Sequence, residues 1–447
     1  MSRASRSTRP GSGRRPWTPP ARERLQVTLE DIGYLGECVG RVDGLVVFAA
    51  YGLPGEEVLV EVDERKRRYV RGRVVEVLRP SPRRQAAPCP LFGACGGCSW
   101  QHVDYAAELA FKEDVVRRQL QRIGGFGEPP VREIIATDSP WRYRNQGRFS
   151  LTRDGHLGLT RRSSRSVLPV EDCLLMQEPI LAVLSQLQGR LSRRHQVVVR
   201  CGARTGTLLV APRLDEVPDV ETGQDAYEEQ LLGRRFRVSA HAFFQTNTRP
   251  AKRKLPSSLA ATEAGSAPDD PSQAEILALL VIDRLALTGA EAVLDAYCGV
   301  GTFALLVANR ARRVVGIEES RPAIADAIHN RRELERVQFC AGKVEEVLPQ
   351  LDERFDAAIL DPSRVGCAPE TLAALLAIQP PKVAYVSCDP ATLARDLRTL
   401  CESAYELVDV QPVDMFPRTR HVEVVATLAA RARESRATTS AESGNLG

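Results

Sequence analysis

Cys388 lies in the stretch Tyr385-Val386-Ser387-Cys388-Asp389-Pro390. The apolar run Val383-Ala384-Tyr385-Val386 is long enough for one short buried strand. Pro390 is expected to stop pairing and lead the chain into a loop. Cys388 would then sit where a strand ends, the usual place for a reactive group in an open α/β sheet. A helix is predicted from Thr392 to Leu400, with Thr392 or Asp389 near its cap. Its dipole would stabilise a thiolate and make Cys388 a nucleophile. The plainer reading is a small buried hydrophobe, as most free cysteines are.

A second group of thiols is denser. Cys89, Cys95 and Cys98 are spaced C-x5-C-x2-C, with Gly93, Gly96 and Gly97 between them. The glycines let the backbone fold back so that several sulfurs converge. Iron–sulfur cubanes and structural zinc both usually take four ligands. Cys173 is the first candidate for the fourth, and Cys201 the second. Zinc sites tend to come as two C-x-x-C knuckles, and one is present here, so the spacing favours an iron–sulfur cluster over zinc. The remaining cysteines are Cys38, Cys298, Cys340, Cys367 and Cys401. No export signal precedes them, which implies a reducing, cytoplasmic setting in which metal or catalysis, not disulfides, is the default.

A third group binds something with hydroxyls. Gly299-Val300-Gly301-Thr302-Phe303-Ala304 follows a predicted strand and opens a predicted helix, matching G-x-G-x-x-A. Glu318 ends the next strand, placed to hydrogen-bond a ribose. A nicotinamide dinucleotide and S-adenosylmethionine both fit such a turn. Asp361-Pro362-Ser363-Arg364 and the Cys388 loop stand at the ends of later strands, as a transferase needs for a second substrate. Glu423 follows Arg418-Thr419-Arg420-His421 and enters the apolar run Val422 to Val425. Burial there would raise its pKa and suit a general base.

The elements that must position these groups are legible in outline. Residues 25–78 show five short strands with Gly and Pro turns, the pattern of a small β-barrel. Arg65-Lys66-Arg67-Arg68 lies between the last two strands, and seven arginines fall in the first 24 residues. That uneven charge, within a net charge of only +4, points to a polyanion partner. Tyr105 to Ile123 is helical in period. Residues 130–240 alternate strand-like runs and turns, and Trp141-Arg142-Tyr143-Arg144-Asn145 interleaves aromatics with cations in a way that could stack on RNA. From Ala274 the pattern becomes alternating βα units, which build a doubly wound, mainly parallel sheet. No stretch approaches the length of a membrane span.

The expected organisation is multidomain. A disordered basic arm occupies 1–20 and a β-barrel 21–80. A β-rich central domain with the cysteine group occupies 81–240, its helix 104–123 packing on the catalytic domain. A Rossmann-like domain occupies 241–430, with a flexible insertion at 249–272, and a disordered tail follows at 431–447.

Ser387-Cys388-Asp389-Pro390-Ala391-Thr392-Leu393-Ala394-Arg395-Asp396 and Asp414-Met415-Phe416-Pro417-Arg418-Thr419-Arg420-His421-Val422-Glu423 resemble the two signature motifs of the RNA uracil-5-methyltransferases. The resemblance extends through Phe243-Phe244-Gln245-Thr246-Asn247, the Asp295-to-Phe303 turn, Asp361-Pro362, the C-x5-C-x2-C group and Cys173. The barrel resembles the TRAM module of the ribosomal-RNA branch. The resemblance implies transfer of a methyl group from S-adenosylmethionine to uridine C5, with Cys388 as nucleophile and Glu423 as base. It implies cofactor contacts at Gln245, Tyr297, Thr302, Glu318 and Asp361. It also implies a 4Fe-4S cluster on Cys89, Cys95, Cys98 and Cys173, and a monomer acting on structured RNA, ribosomal rather than transfer. Thr302 and Lys343 stand where some members carry other polar residues. From the residues alone, a nicotinamide-dependent oxidoreductase with an iron–sulfur centre stays open as the alternative.

Overall fold

The computed structural model describes residues 23–162, 164, 166–192, 196–251, 259 and 268–432. The expected arm at 1–20, most of the insertion at 249–272 and the tail from 433 onward lie outside the described residues. The chain divides into two compact units. One runs to Gly33 and resumes over Glu37–Ser81; the other comprises Tyr34–Gly36 and Pro82 onward.

The first unit is the expected barrel. Its strands are β1 (Arg24–Ile32), β2 (Cys38–Val42), β3 (Leu45–Ala50), β4 (Glu57–Arg65) and β5 (Tyr69–Arg79), closed in the order β1-β2-β3-β5-β4. Closure leaves no strand edge unpaired. Val27, Leu29, Val47, Val58, Val60 and Val70 fill the interior. The Arg65–Arg68 run is exposed at the β4–β5 turn. Part of its charge is balanced, since Arg65 pairs with Glu23 at 3.2 Å and Lys66 with Glu64 at 3.0 Å.

The second unit begins with α1 (Tyr105–Arg122), capped by Asp104, whose side chain accepts from Ala107 N. A five-stranded sheet follows, built from β6 (Gln146–Leu151), β7 (Leu157–Thr160), β8 (Val167–Pro169), β9 (Gln196–Cys201) and β10 (Leu208–Ala211) in the order β10-β9-β6-β7-β8. Helix α2 (Glu178–Leu187) covers it. The strand-and-turn expectation for 130–240 missed this helix, although Pro179 near its start is a helix-opening signal. A hairpin, β11 (Ala226–Leu231) and β12 (Arg234–Ser239), completes the segment.

The larger sheet has seven strands. They are β13 (Ala292–Ala296), β14 (Arg313–Glu318), β15 (Val337–Ala341), β16 (Ala357–Leu360), β17 (Lys382–Ser387), β18 (Tyr405–Val413) and β19 (Glu423–Ala430). Their order is β15-β14-β13-β16-β17-β19-β18. The first five are parallel, and β19 runs antiparallel to both β17 and β18. The helices are α3 (Gln273–Leu285), α4 (Thr302–Val307), α5 (Arg321–Arg331), α6 (Val344–Val347), α7 (Pro369–Ile378) and α8 (Pro390–Ser403). β15 escaped the sequence reading because Gln338 and Cys340 interrupt its apolar pattern at a sheet edge. The opposite edge is covered, because the segment around Val131–Ile135 hydrogen-bonds along β18.

Residues of the expected central and catalytic segments share cores. Tyr227 and Phe236 pack with Ile276, Val293 and Ala384 on one face of the sheet. Val116 and Leu120 of α1 pack with Leu393 and Leu397 of α8 on the other. Helix α1 thus packs on the sheet's helical layer, as expected.

Candidate active site

The parallel strands end along one rim, and the chemistry-bearing residues follow their last positions. Asp361 follows β16, and Cys388 follows β17. β19 returns antiparallel, with Ser387 opposite Val424. One step further along the same register, Cys388 and Glu423 lie opposite each other at one end of the sheet.

Pro390 does not lead into a loop; it is the first residue of α8. Proline is favoured there because its missing N–H would be unpaired anyway. The cap is Asp389, whose Oδ1 accepts from Ala391 N at 3.1 Å and Thr392 N at 3.0 Å. This changes the expected electrostatics of the thiol. Cys388 stands before the cap, and the Asp389 carboxylate takes the free N–H groups that would have favoured a thiolate. Burial is the first cause pushing the Cys388 thiol up to about 12; Glu423 and Asp361 add to it, while Arg364 opposes it. The dipole expectation is therefore corrected: desolvation and two carboxylates outweigh it.

Glu423 is 4% exposed. Burial, then the Asp361 charge, holds its carboxyl well above the usual range, with Arg364 opposing. The expected raised value is found. Burial likewise lifts Asp361 to about 7. Arg364 is the residue that sequence reading quoted but gave no role. Its guanidinium acts on the Cys388 thiol both by charge and by hydrogen bonding, and on Glu423 by charge. The available signal was its place three residues after Asp361, at the rim of the sheet.

The glycine turn sits further along the rim. Gly299 and Gly301 have φ of 55° and 84°. A Cβ on Gly301 would stand 2.7 Å from the Phe339 ring, so a side chain is excluded by both conformation and space. Glu318 accepts from Gly299 N at 3.0 Å and from Ser320 N at 2.7 Å. It braces the turn and keeps further lone pairs for a ligand. Asp295, fully buried under the turn, accepts from Ala304 N at 2.7 Å while its Oδ1 meets no partner. Tyr297, at φ 67°, donates to Thr371 Oγ1 at 3.2 Å. Gln245 Nε2 donates to Asp361 Oδ2 at 3.3 Å, joining the Phe243–Asn247 stretch to the rim. Thr302 is the buried first residue of α4. Lys343 is exposed and pairs with Glu346 at 3.8 Å.

The loop that delivers Glu423 is held from behind by α1. Lys112, fully buried, places Nζ 2.8 Å from Glu108 Oε1 and 2.6 Å from Asp414 Oδ1, and donates to Phe416 O at 3.1 Å. Burial works against its charge, but Asp414 and Glu108 outweigh it and raise its pKa. Tyr105 donates to Asp414 Oδ2 at 2.7 Å. Sequence reading missed Glu108 and Lys112; the signal was an i,i+4 charge pair on the helix face that also carries Val115 and Val116.

Trp141–Asn145 is tied to other parts of the fold. Arg418 lies 4.9 Å from the Trp141 ring centroid, Tyr143 is buried and donates to Pro417 O at 3.0 Å, and Arg142 pairs with Asp172 at 2.7 Å. Its aromatics and cations are consumed in holding the 414–421 loop and the cysteine region.

Cys89, Cys95, Cys98 and Cys173 line one pocket with Leu91, Phe92, Leu159, Leu175, Met176 and Arg144. Burial pushes Cys98 up to about 12 and raises Cys95 and Cys173, and their charges act on one another. Cys201 lies elsewhere, donating to Gln177 Oε1 at 3.6 Å. Among the described residues no three His, Cys, Asp or Glu side chains stand close enough to chelate a single ion. Ser99 N and Trp100 N, just after Cys98, donate to Arg418 O at 3.1 and 3.2 Å. The cysteine segment and the Glu423 loop are thus directly bonded.

Comparison with known proteins agrees with this division of the chain. Residues 287–425 match the methyltransferase domain and residues 21–75 the TRAM domain. An RNA methyltransferase of Halalkalibacterium halodurans is 34% identical, covering 90% of this chain and 96% of its own. One from Gloeobacter violaceus is 36% identical, covering 88% and 93%. The Pyrococcus abyssi tRNA (uracil-54, C5)-methyltransferase, solved with S-adenosyl-L-homocysteine, has the same fold. Its TM-score is 0.68 at 24% identity, over 91% of this chain and all of that one. A thiol, a buried carboxylate and a glycine turn on one rim, in a chain so alike over nearly its whole length, give the family: this protein is a member of the RNA methyltransferases.

Proposed function

We propose that the protein methylates C5 of a uridine in structured RNA, with S-adenosylmethionine as methyl donor and Cys388 and Glu423 as the reacting pair. The observation that carries this is the register of β17 against β19, which sets one thiol opposite one buried carboxylate. Uracil C5 is a poor nucleophile, and only a group added at C6 makes it carbanion-like. The Cys388 thiol gives up its proton to water, the thiolate adds to C6, and the C5–C6 electron pair moves onto the O4 enolate. C5 then takes the methyl group of the donor, whose sulfonium leaves as a neutral thioether. Glu423 removes the C5 proton, and the C5–C6 double bond re-forms as the thiolate departs. A carboxylate whose proton affinity is raised by burial is the stronger base for that step. Arg364, beside both groups, stabilises the thiolate as it forms and leaves.

Gln245, Tyr297, Glu318, Asp361 and the Thr302 end of α4 form the donor site. A flipped base would enter from the Cys388 side. The substrate is proposed to be ribosomal RNA, on the likeness of the barrel to the TRAM module of that branch. Transfer RNA is the second reading, favoured by the structural neighbour that acts on transfer RNA. A nicotinamide reaction would leave the opposed thiol and carboxylate without a role.

The four thiols fit a 4Fe-4S cluster. A cubane takes one thiolate at each of four separated irons, so its ligands stand farther apart than those of one zinc ion. Leu91, Phe92, Leu159, Val170, Leu175 and Met176 make most of the remaining lining apolar, beside Gln101 and Asp172, and one cation, Arg144, stands against the negative charge of thiolate ligands. Anaerobic protein should carry about four irons, and Cys173→Ser should lower that content. Stoichiometric zinc instead would refute the assignment.

The functional test uses methyl-labelled donor and denaturing gels. Glu423→Gln should accumulate a labelled protein–RNA adduct, because addition and transfer proceed while proton removal stalls. Normal turnover by Glu423→Gln would exclude it as the base. Mapping 5-methyluridine in ribosomal and transfer RNA from cells lacking the protein separates the two substrates.

A further inference from the structure

We propose that the groove between the β11–β12 turn and the C-terminal end of α5 binds the phosphodiester backbone of the RNA substrate, away from the reacting base. This rests on the chain acting on RNA, and not on which base atom is methylated.

Four arginines, Arg234, Arg235, Arg331 and Arg332, line this groove beside Asn309 and a single acid, Glu333. Two neighbouring arginines are matched by acids: Arg237 with Asp326, and Arg204 with Glu275 at 2.9 Å. In the groove only Arg235 has such a partner, Glu228 at 3.1 Å. Among the described residues Arg234, Arg331 and Arg332 form no salt bridge. Arg234 donates to the Asn330 carbonyl at 3.0 Å and Arg331 to the Val337 carbonyl at 3.3 Å. The Nε of each is buried without an acceptor. The Arg234 guanidinium is held below its usual value, first by burial and then by the Arg332 charge.

Like charges gathered without counter-charge repel, and the cost is recovered when an anion binds between them. The guanidinium fork matches phosphate oxygens. Arg332 adds a second observation. It ends α5 at φ 51° and ψ −122°, the conformation of the first central residue of a type II′ turn, where glycine is strongly preferred. A cation is present where glycine would be less strained.

The groove is open and offers about 1230 Å³, room for a strand and not only for one ion. It lies at the far end of α5 from Glu318. The 11 residues of that helix rise about 16 Å at 1.5 Å each. An RNA that reaches it must extend several nucleotides beyond the target base.

The test is RNA binding by the full chain at several salt concentrations, with a short target hairpin and a longer structured RNA. Arg332→Gly removes the charge and relieves the backbone. It should hold or raise the melting temperature, leave S-adenosylhomocysteine affinity unchanged, and weaken binding of the long RNA only. The slope of log affinity against log salt should fall by about 0.7–0.9 for each phosphate no longer neutralised. Arg234→Ala with Arg332→Gly should roughly double that fall, by the same counterion accounting. Arg332→Lys should keep most of the affinity. Unchanged affinity and slope for the long RNA in both variants would overturn the proposal, as would equal losses on both RNAs. Because binding and not product is read, a failure here leaves the C5 chemistry standing, and a failure there leaves the groove.

Discussion

The protein holds cysteines in two settings, and burial alone does not tell them apart. Cys388 and Cys98 are both pushed up to about 12, each first by desolvation. What differs is the company. Cys388 is a lone thiol at the end of a parallel strand, facing two carboxylates and one arginine. Cys98 shares a pocket with three other thiols, Arg144, Gln101 and Asp172. A lone thiol beside a base and a cation can add to a carbon and leave again. Four thiols gathered on one pocket are placed to hold something. The role of a cysteine is set by what stands within reach of its sulfur. The two settings are also joined, since Ser99 and Trp100 bond the Arg418 carbonyl in the loop that ends at Glu423.

The largest expected effect separates the two settings outright. Cys388→Ala should lower methyl transfer by at least about 10⁴-fold while leaving S-adenosylhomocysteine affinity and iron content intact. Loss of iron in this variant would show that the settings are not independent.

The next tests the joint between them. Lys112→Met leaves Asp414 buried without its cation and Glu108 with only Arg418, 3.5 Å away, which should cost about 3–5 kcal/mol of stability. Denaturant unfolding measures it. Glu108→Gln added to Lys112→Met should recover part of the loss. A cost below about 1 kcal/mol, the range of an exposed pair, would mean that α1 does not hold the loop.

A smaller effect is expected at the glycine turn. Gly301→Ala meets the Phe339 ring at 2.7 Å with φ of 84° and should weaken donor binding by about 1–3 kcal/mol, read by calorimetry. Cys388 alkylation should be unchanged in that variant.

The mildest test is the pH dependence of that alkylation. The thiolate is the reactive form, and the folded thiol is raised to about 12. Its fraction at neutral pH is small and should rise about tenfold per pH unit until the thiol titrates. Arg364→Gln removes a charge that lowers the thiol and should slow alkylation at any one pH. Faster alkylation in Arg364→Gln would reverse the assigned sign.

The sequence by itself determined the local elements and the candidate residues. Five short strands between Gly and Pro turns specify a barrel because each turn fixes where the next strand begins. Alternating βα periods specify a parallel sheet, which places the residues following Ala296, Leu360 and Ser387 on one rim. The three-thiol spacing and the G-x-G-x-x-A turn are short-range patterns, and short-range patterns survive in one dimension. What the tertiary structure decided is pairing at long range. Glu423 reads as an ordinary strand residue until β19 turns back against β17 and sets it opposite Cys388. Lys112 and Asp414 are 302 positions apart, and no local period links them. The sequence of Trp141–Asn145 does not show that its side chains meet Arg418, Pro417 and Asp172. The thiol's proton affinity went the same way. Proximity to a helix start is visible in sequence, but the desolvation and neighbouring carboxylates that outweigh it exist only once the chain has closed around Cys388.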